Sequence, residues 1–323
     1  MLRYLERKHS QIQIWELNKK FNLKNVIWID LLSPSREEEV FLEEQFGFSL
    51  PTRADMIEIE LSSRLYSEND CYFMTATMIA HSDSDTAEPI LDPVTFVLTK
   101  HQLITIRYIE PQSFRLFALH VEKMPMNIRE PRSLLINLLD ITIDRLADIL
   151  ELAGHRLDTY SQTIFNKKTH STKHDYPHLM QQMGFIADIN TKARESLVTF
   201  RRVLTFYSEL FDPKIDKDKI AHLSTITADI LALSDHASFL STKINFLLDA
   251  TLGLVNIEQN NVIKTLSVAA VIFLPPTLIA SVYGMNFQYM PELSWKYGYL
   301  CVVGLMFIST WLPYKYFKYR KWL

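Results

Sequence analysis

Cysteine is scarce: Cys71 and Cys301 are the only two among 323 residues. Two thiols cannot build a disulfide framework or a Cys-based zinc site. They are not expected to pair, because Cys301 lies in an apolar run and Cys71 in a strand-like segment. Glycine is also scarce, seven in all, and no Gly-rich loop of the kind that cradles phosphates is found, so no ATP-driven step is expected. Neither sign of charge dominates, since 34 Lys+Arg against 37 Asp+Glu leave −3. That balance argues against a nucleic-acid protein, which usually shows a basic domain or stripe. The histidines are scattered and no nucleophile-and-base constellation surrounds either cysteine, so the chain is read as not an enzyme. The opening "MLRYLERKHSQ" is charged throughout and lacks a signal-peptide apolar core, from which the bulk of the protein is expected to stay in the cytosol.

What the chain does contain changes along its length. Residues 1–125 read as a cytosolic α/β domain. "NVIWIDLL" (25–32), "DCYFMTATMIA" (70–80) and "DPVTFVLTKHQLITIRY" (92–108) are rich in β-branched and aromatic residues, and Lys100-His101-Gln102 reads as a hairpin turn. "SREEEVFLEEQF" (35–46) opens with Ser and acids, a helix start. Residues 126–216 read as long helices. One spans 130–168, with Leu and Ile at three- and four-residue spacing, and a second spans about 177–210, ended by Asp212-Pro213. A third pattern opens near Lys217 and meets no Pro until Pro275. As one helix over 217–283 it would measure on the order of 100 Å.

Only two long apolar runs exist. "VIKTLSVAAVIFLPPTLIASVY" (262–283) has one charge, Lys264, and the length a helix needs to cross a bilayer core. "YGYLCVVGLMFISTWLP" (297–313) is shorter, about 24 Å as a helix, but Trp295, Tyr297, Tyr299, Trp311 and Tyr314 supply aromatic anchors at its ends. The alternative, two buried core helices of a soluble protein, does not explain why both runs are belted by aromatics. The tail 314–323 carries Lys315, Lys318, Arg320 and Lys321 and no acid. By the positive-inside rule it faces the cytosol, which puts both termini there and leaves the loop 284–296 outside.

Two helices cannot enclose a water-filled path, so a transporting protein of this shape must be an oligomer with the first helices at its centre. In steps of three and four from Asp249, a stripe passes through Leu252, Asn256, Asn260, Ile263, Ser267, Ala270, Leu274, Thr277, Ser281 and Gly284. A pore wall and a coiled-coil seam with polar register residues predict the same stripe.

"FLPPTLIAS", then "YGMNF", then "MPEL" and a terminal basic tail resemble the CorA family of divalent-metal (magnesium) transporters. The resemblance implies an α+β cytosolic domain followed by very long helices and a two-helix transmembrane hairpin, assembled as a CorA-like funnel-shaped homopentamer in a bacterial-type inner membrane. Gly284, Met285 and Asn286 would form the selectivity mouth, Gly284 presenting a carbonyl and Asn286 an amide oxygen to hydrated Mg²⁺, which dehydrates reluctantly. Asn256, Asn260, Ser267, Thr277 and Ser281 would line the pore. Ile263, Leu266 and Leu274 would form apolar constrictions that exclude water. Pro275-Pro276 reads either as a packing kink or as a hinge.

Glu292, the loop's only acid, reads either as an ion-concentrating ring or as a solvated carboxylate. Mg²⁺ is the expected cargo and the expected regulator, with Co²⁺ and Ni²⁺ as further candidate ions and no organic cofactor. The family's regulation by Mg²⁺ between neighbouring cytosolic domains makes Asp92, Asp229 and Asp235 candidates, while Asp249 near the membrane suits an ion-attracting ring. His170, His174 and His178 have metal-ligand spacing, but Pro177 and Lys167-Lys168 mark a solvated turn. The rivals are a zinc transporter of the same superfamily, whose members commonly depart from Gly-Met-Asn, and a membrane-anchored scaffold without transport.

Overall fold

The structure, a computed structural model, describes residues 1–6, 12–14, 25–81, 88–123, 130–165, 175–285, 290–320 and 322. Two compact units result, Met1–Leu247 and Leu248–Leu323.

The first unit is built on a seven-stranded sheet of β1 (Leu2–Glu6), β2 (Gln13–Ile14), β3 (Val26–Leu32), β4 (Leu65–Glu68), β5 (Cys71–Ala80), β6 (Ile90–Leu98) and β7 (Leu103–Arg107), in the order β2-β1-β3-β7-β6-β5-β4. Only β3 and β7 run parallel. β3 is apolar at every position but Asp30, and buried along nearly its whole length, because both its faces are covered. Alternate residues Ile29 and Leu31 join a core with Leu42 of α1 (Arg36–Phe46) and Met56 of α2 (Arg53–Ile57), while Trp28 meets Phe117 of α4 (Gln112–Lys123) edge-on at 5.0 Å. A short α3 (Leu61–Arg64) leads into β4.

Local sequence accounts for several of these elements. α1 starts at a capping box, Ser35 Oγ accepting from Glu38 N–H and the Glu38 carboxylate accepting from Ser35 N–H at 2.9 Å. It ends at Gly47, whose φ of 74° suits a residue without Cβ. The expected β6–β7 hairpin is present, and Thr99 Oγ1 accepts the N–H of His101 and of Gln102 inside its turn. β1 and the β4–β5 hairpin were not expected. The latter turns at Asn69 and Asp70, both with positive φ (50° and 58°), as a two-residue hairpin loop requires. β4 pairs with β5 only over Cys71–Met74. Farther along, helix side chains occupy that edge: Thr77 N–H donates to Thr199 Oγ1 at 3.0 Å and Ser196 Oγ donates to Thr77 C=O at 2.7 Å.

Both residues belong to α6 (Tyr176–Ser208), which follows α5 (Pro131–Phe165) and precedes α7 (Lys217–Tyr283). The three long helices are those the periodicity predicts. α6 stops at Ser208, short of the expected Leu210 and ahead of Asp212-Pro213. In its first half α7 buries Leu223, Ile226, Ile230, Ala237, Leu240, Ile244 and Leu247, the three-and-four spacing of a helix-packing seam. Asn190 of α6 pins the register, its Nδ2 donating to Ala237 C=O (3.0 Å) and Ser241 Oγ (2.8 Å).

The second unit holds the rest of α7, a 3₁₀ turn (Pro291–Ser294) and α8 (Gly298–Tyr319). α7 passes through Pro275-Pro276 without a break. α8 likewise continues through Pro313, where the apolar run ends, to Tyr319. A proline deletes one donor and strains one turn, and strong helical sequence on both sides carries the helix past it.

Candidate functional site

The second half of α7 has two unlike faces. Val268 is buried, and Ile272, Pro275, Pro276, Ile279 and Tyr283 are half-buried. On α8 the counterpart row is Val302, Val303, Met306, Thr310, Pro313 and Phe317. At about 100° per residue, Ser267, Ala270, Leu274, Thr277 and Ser281 fall roughly opposite the half-buried row of α7. Every one of them is exposed. So are Asn256, Asn260, Ile263 and Leu266, with Leu266 and Leu274 exposing 67% and 69% of their surface. The stripe therefore lies on the side of α7 that its own hairpin leaves uncovered. Both α7 and α8 are long and apolar enough to cross a membrane, and 6% of the most apolar stretch of each is buried. A core helix of a soluble protein would be mostly buried.

Ala270, Leu274, Thr277 and Ser281 line one shallow groove of about 520 Å³, joined by Phe273 and Leu278, which lie beside the stripe and outside the predicted set. Thr277 Oγ1 donates to Phe273 C=O at 2.7 Å. Its proton is thereby committed to the helix, and the oxygen lone pairs stay available to a cation or its water shell. Gly284 sits just past the helix end, its N–H donating to Ala280 C=O at 2.9 Å. A Cβ there would come within 3.1 Å of that same oxygen, tighter than an ordinary side-chain contact. Gly284 also lines a cleft of about 450 Å³ with Ala280, Tyr283, Met306 and two of the expected membrane anchors, Trp295 and Tyr299. Met285 is exposed. Asn286 lies outside the described residues, as do His170 and His174, and of Glu292 only the backbone, in the 3₁₀ turn, is described. Asp249 is exposed on α7, below the stripe.

The other acidic candidates are spread over the first unit. Asp92, on β6, is ion-paired with Arg53 at 3.5 Å. Asp229 and Asp235 are exposed on α7. Asp229 adds to a set that composition alone did not single out, Asp140, Asp144 and Asp148 on α5. The Asp144 carboxyl is held above its ordinary range by burial first, then by Asp140, Asp148 and Asp229. A four-residue spacing of acids along one helix was the available signal. Asp140 is engaged by His222 at 3.2 Å, and Asp148 by Arg145 at 3.4 Å. His178 is exposed at the start of α6, its backbone N–H capped by Asp175.

An α+β unit, a long helix running into an apolar hairpin, and a polar-apolar stripe on the uncovered face of that helix define a membrane protein built around α7. The sequence of residues 24–320 matches the family model described as CorA-like Mg²⁺ transporter protein. The chain is 32% identical over 323 residues to the magnesium transport protein CorA of Escherichia coli (strain K12), covering all of both chains. Among solved structures it is similar to the complete CorA magnesium transporter of Methanocaldococcus jannaschii, with a TM-score of 0.73 at 19% identity over 100% of this chain and 98% of that one. It is also similar to the ZntB cytoplasmic domain of Vibrio parahaemolyticus RIMD 2210633, with a TM-score of 0.57 at 11% identity over 79% and 98%. This chain belongs to the CorA-like Mg²⁺ transporter family, a family of membrane ion transporters and not of enzymes.

Proposed function

We propose that this protein is a channel-like importer of Mg²⁺, working as a homopentamer in which five copies of α7 surround the path. The observation that carries the reading is the stripe on the uncovered face of α7. Ile263, Leu266 and Leu274 there are large, apolar and exposed, and interleave with Asn260, Ser267, Thr277 and Ser281. A lipid-facing surface has no use for the polar layers, and a dry seam has none for so many. A ring of such helices gives hydroxyl and amide layers that carry a hydrated ion, separated by apolar layers that stop flow when they dewet.

In this reading Gly284, Met285 and Asn286 form the outer mouth. A neutral amide and a carbonyl hold the water shell of Mg²⁺ without trapping the ion, so ions enter and leave. Glu292 raises the local cation concentration outside, and Asp249 does so at the inner end. The hairpin lies in a bacterial-type inner membrane with both termini in the cytosol. There, an inside-negative potential contributes roughly 4.6 kcal/mol per 100 mV for a divalent ion. Cytosolic Mg²⁺ closes the path by binding acids between neighbouring subunits. Asp92, Asp229 and Asp235 are the residues proposed, with Arg53 yielding Asp92 when metal binds. Co²⁺ and Ni²⁺ share the size range and are proposed as secondary cargo. A zinc transporter is the nearest rival, since the ZntB cytoplasmic domain has a similar fold.

Uptake into liposomes holding the purified protein, under an inside-negative potential and with trapped Mg²⁺ kept low, tests this. Potential-driven Mg²⁺ uptake that Asn286→Ala abolishes is the expected result. Uptake of Zn²⁺ in its place would favour the rival, and no uptake of either ion would leave α7 and α8 as an anchor.

A further inference from the structure

We infer that the C-terminal end of α8 is a binding collar for anionic phospholipid, in which cations held one turn beyond aromatic rings grip phosphodiester headgroups where the helix leaves the bilayer. Such a site exists only if α8 spans a membrane, the reading on which it rests.

Because α8 runs through Pro313 to Tyr319, Lys315 and Lys318 stand on a regular helical surface and not on a loose tail. Lys315 Nζ lies 4.8 Å from the ring centre of Trp311, Lys318 Nζ 6.0 Å from that of Tyr314, and Arg320 Cζ 5.8 Å from that of Tyr316. All three are i, i+4 pairs, the spacing at which helix side chains meet, and cation–π attraction limits where each cation can wander. Past the helix the chain folds back. Trp322 N–H donates to Phe317 C=O at 3.0 Å, and the two rings stack at 5.6 Å. Trp311, Tyr314, Tyr316, Tyr319 and Trp322 remain exposed, an arrangement that water does not favour and the headgroup layer does.

Charge selects the occupant. No Asp or Glu follows Glu292 in the sequence, so these cations have no acid within their own segment. Successive cations are turned by about 60° and then about 160° around the axis at 3.6 residues per turn. They address partners on several sides, as a helix ringed by lipids needs and a helix docked in one acidic groove does not. Ammonium and guanidinium groups donate to the non-bridging phosphate oxygens, Arg320 with two parallel bonds. A zwitterionic headgroup brings its own ammonium, which competes for the same phosphate. The collar therefore discriminates by net headgroup charge, by about fivefold for each cation engaged.

The test uses the full-length protein, with Trp295→Phe to silence the far end of the hairpin, in vesicles of equal parts phosphatidylglycerol and phosphatidylcholine. One lipid or the other carries brominated acyl chains that quench Trp311 and Trp322. Stronger quenching by the brominated phosphatidylglycerol, corresponding to a preference of about fivefold or more, is expected. Lys315→Gln/Lys318→Gln/Arg320→Gln should abolish the preference while both lipids still quench, and salt should erode it in the parent. Equal quenching by the two lipids in the parent overturns the proposal and leaves the collar to an acidic protein surface. A preference that survives in the triple variant overturns it as well. Failure of either lipid to quench would instead remove the membrane reading of α8.

Discussion

Arg107 and Asp30 form the most deeply buried ion pair among the described residues, with side chains 1% and 2% exposed. Arg107 Nε donates to Asp30 Oδ1 at 2.9 Å and Nη2 to Oδ2 at 2.8 Å, while Nη1 donates to Ile109 C=O. Asp30 Oδ1 also accepts from Thr105 Oγ1, which in turn accepts from Trp28 Nε1. The pair joins β3 to β7, the single parallel contact of the sheet and one whose partners are 77 residues apart in sequence. Arg107→Met leaves a buried carboxylate with one hydroxyl donor, and breaking a buried pair costs about 3–5 kcal/mol. For a unit of this size each kcal/mol moves Tm by about 2–4 °C, so thermal unfolding should fall by roughly 6–20 °C. Asp30→Leu should cost a similar amount. Asp30→Leu/Arg107→Met should recover most of the loss, because neither charge is then stranded. Unfolding followed by tryptophan fluorescence is well suited, since Trp28 is bonded into the network. A drop of under about 2 °C in either single variant, or full additivity in the double one, would refute the account.

Two further outcomes follow from the same geometry. Gly284→Ala places a Cβ 3.1 Å from the Ala280 carbonyl oxygen, so the backbone at the end of α7 must give slightly. Liposome uptake should fall while the thermal midpoint of the first unit stays unchanged. Asp144 has a native carboxyl pKa raised above its ordinary value of 3.8, so the native state binds that proton more tightly than the unfolded chain does. Its contribution to stability is greatest below 3.8 and is lost as pH rises through the native value. Asp144→Asn should therefore raise Tm at neutral pH, with the gain disappearing in acid; an equal gain at both pH values would contradict a carboxyl held up by burial and by the neighbouring acids.

The elements legible in the sequence were those set by contacts a few residues apart. The capping box at Ser35 and Glu38, the turn after Leu98 and the leucine spacing of α5 all act within one or two turns of chain, and each element formed where expected. β1 was missed because Leu2 and Leu5, its two fully buried residues, do not alternate, and a register shift between Leu5 and Glu6 disturbs the period. β4 was missed for its length of four residues. The prolines misled in one direction only, for Pro313 marks the end of the apolar run without ending the helix. Of the candidate site, the stripe on α7 could be read from spacing, whereas the role expected of Gly284 came from the resemblance of the surrounding motif to the family. The grouping of Asp140, Asp144 and Asp148 with Asp229 could not, because Asp229 comes from a helix more than eighty residues away.

The sequence by itself determined that this is a membrane hairpin preceded by long helices and a mixed domain. Apolar length, aromatic belts and heptad-like spacing are properties of consecutive residues, and the bilayer and the helix read them directly. Tertiary structure alone decided that β3 and β7 run parallel, with Asp30 and Arg107 buried between them. It also decided which side of α7 the hairpin covers. Two faces of one helix can carry equally plausible patterns, and only the folded chain shows Val268 buried and Ile272 and Ile279 half-buried while Leu274, Thr277 and Ser281 stay exposed.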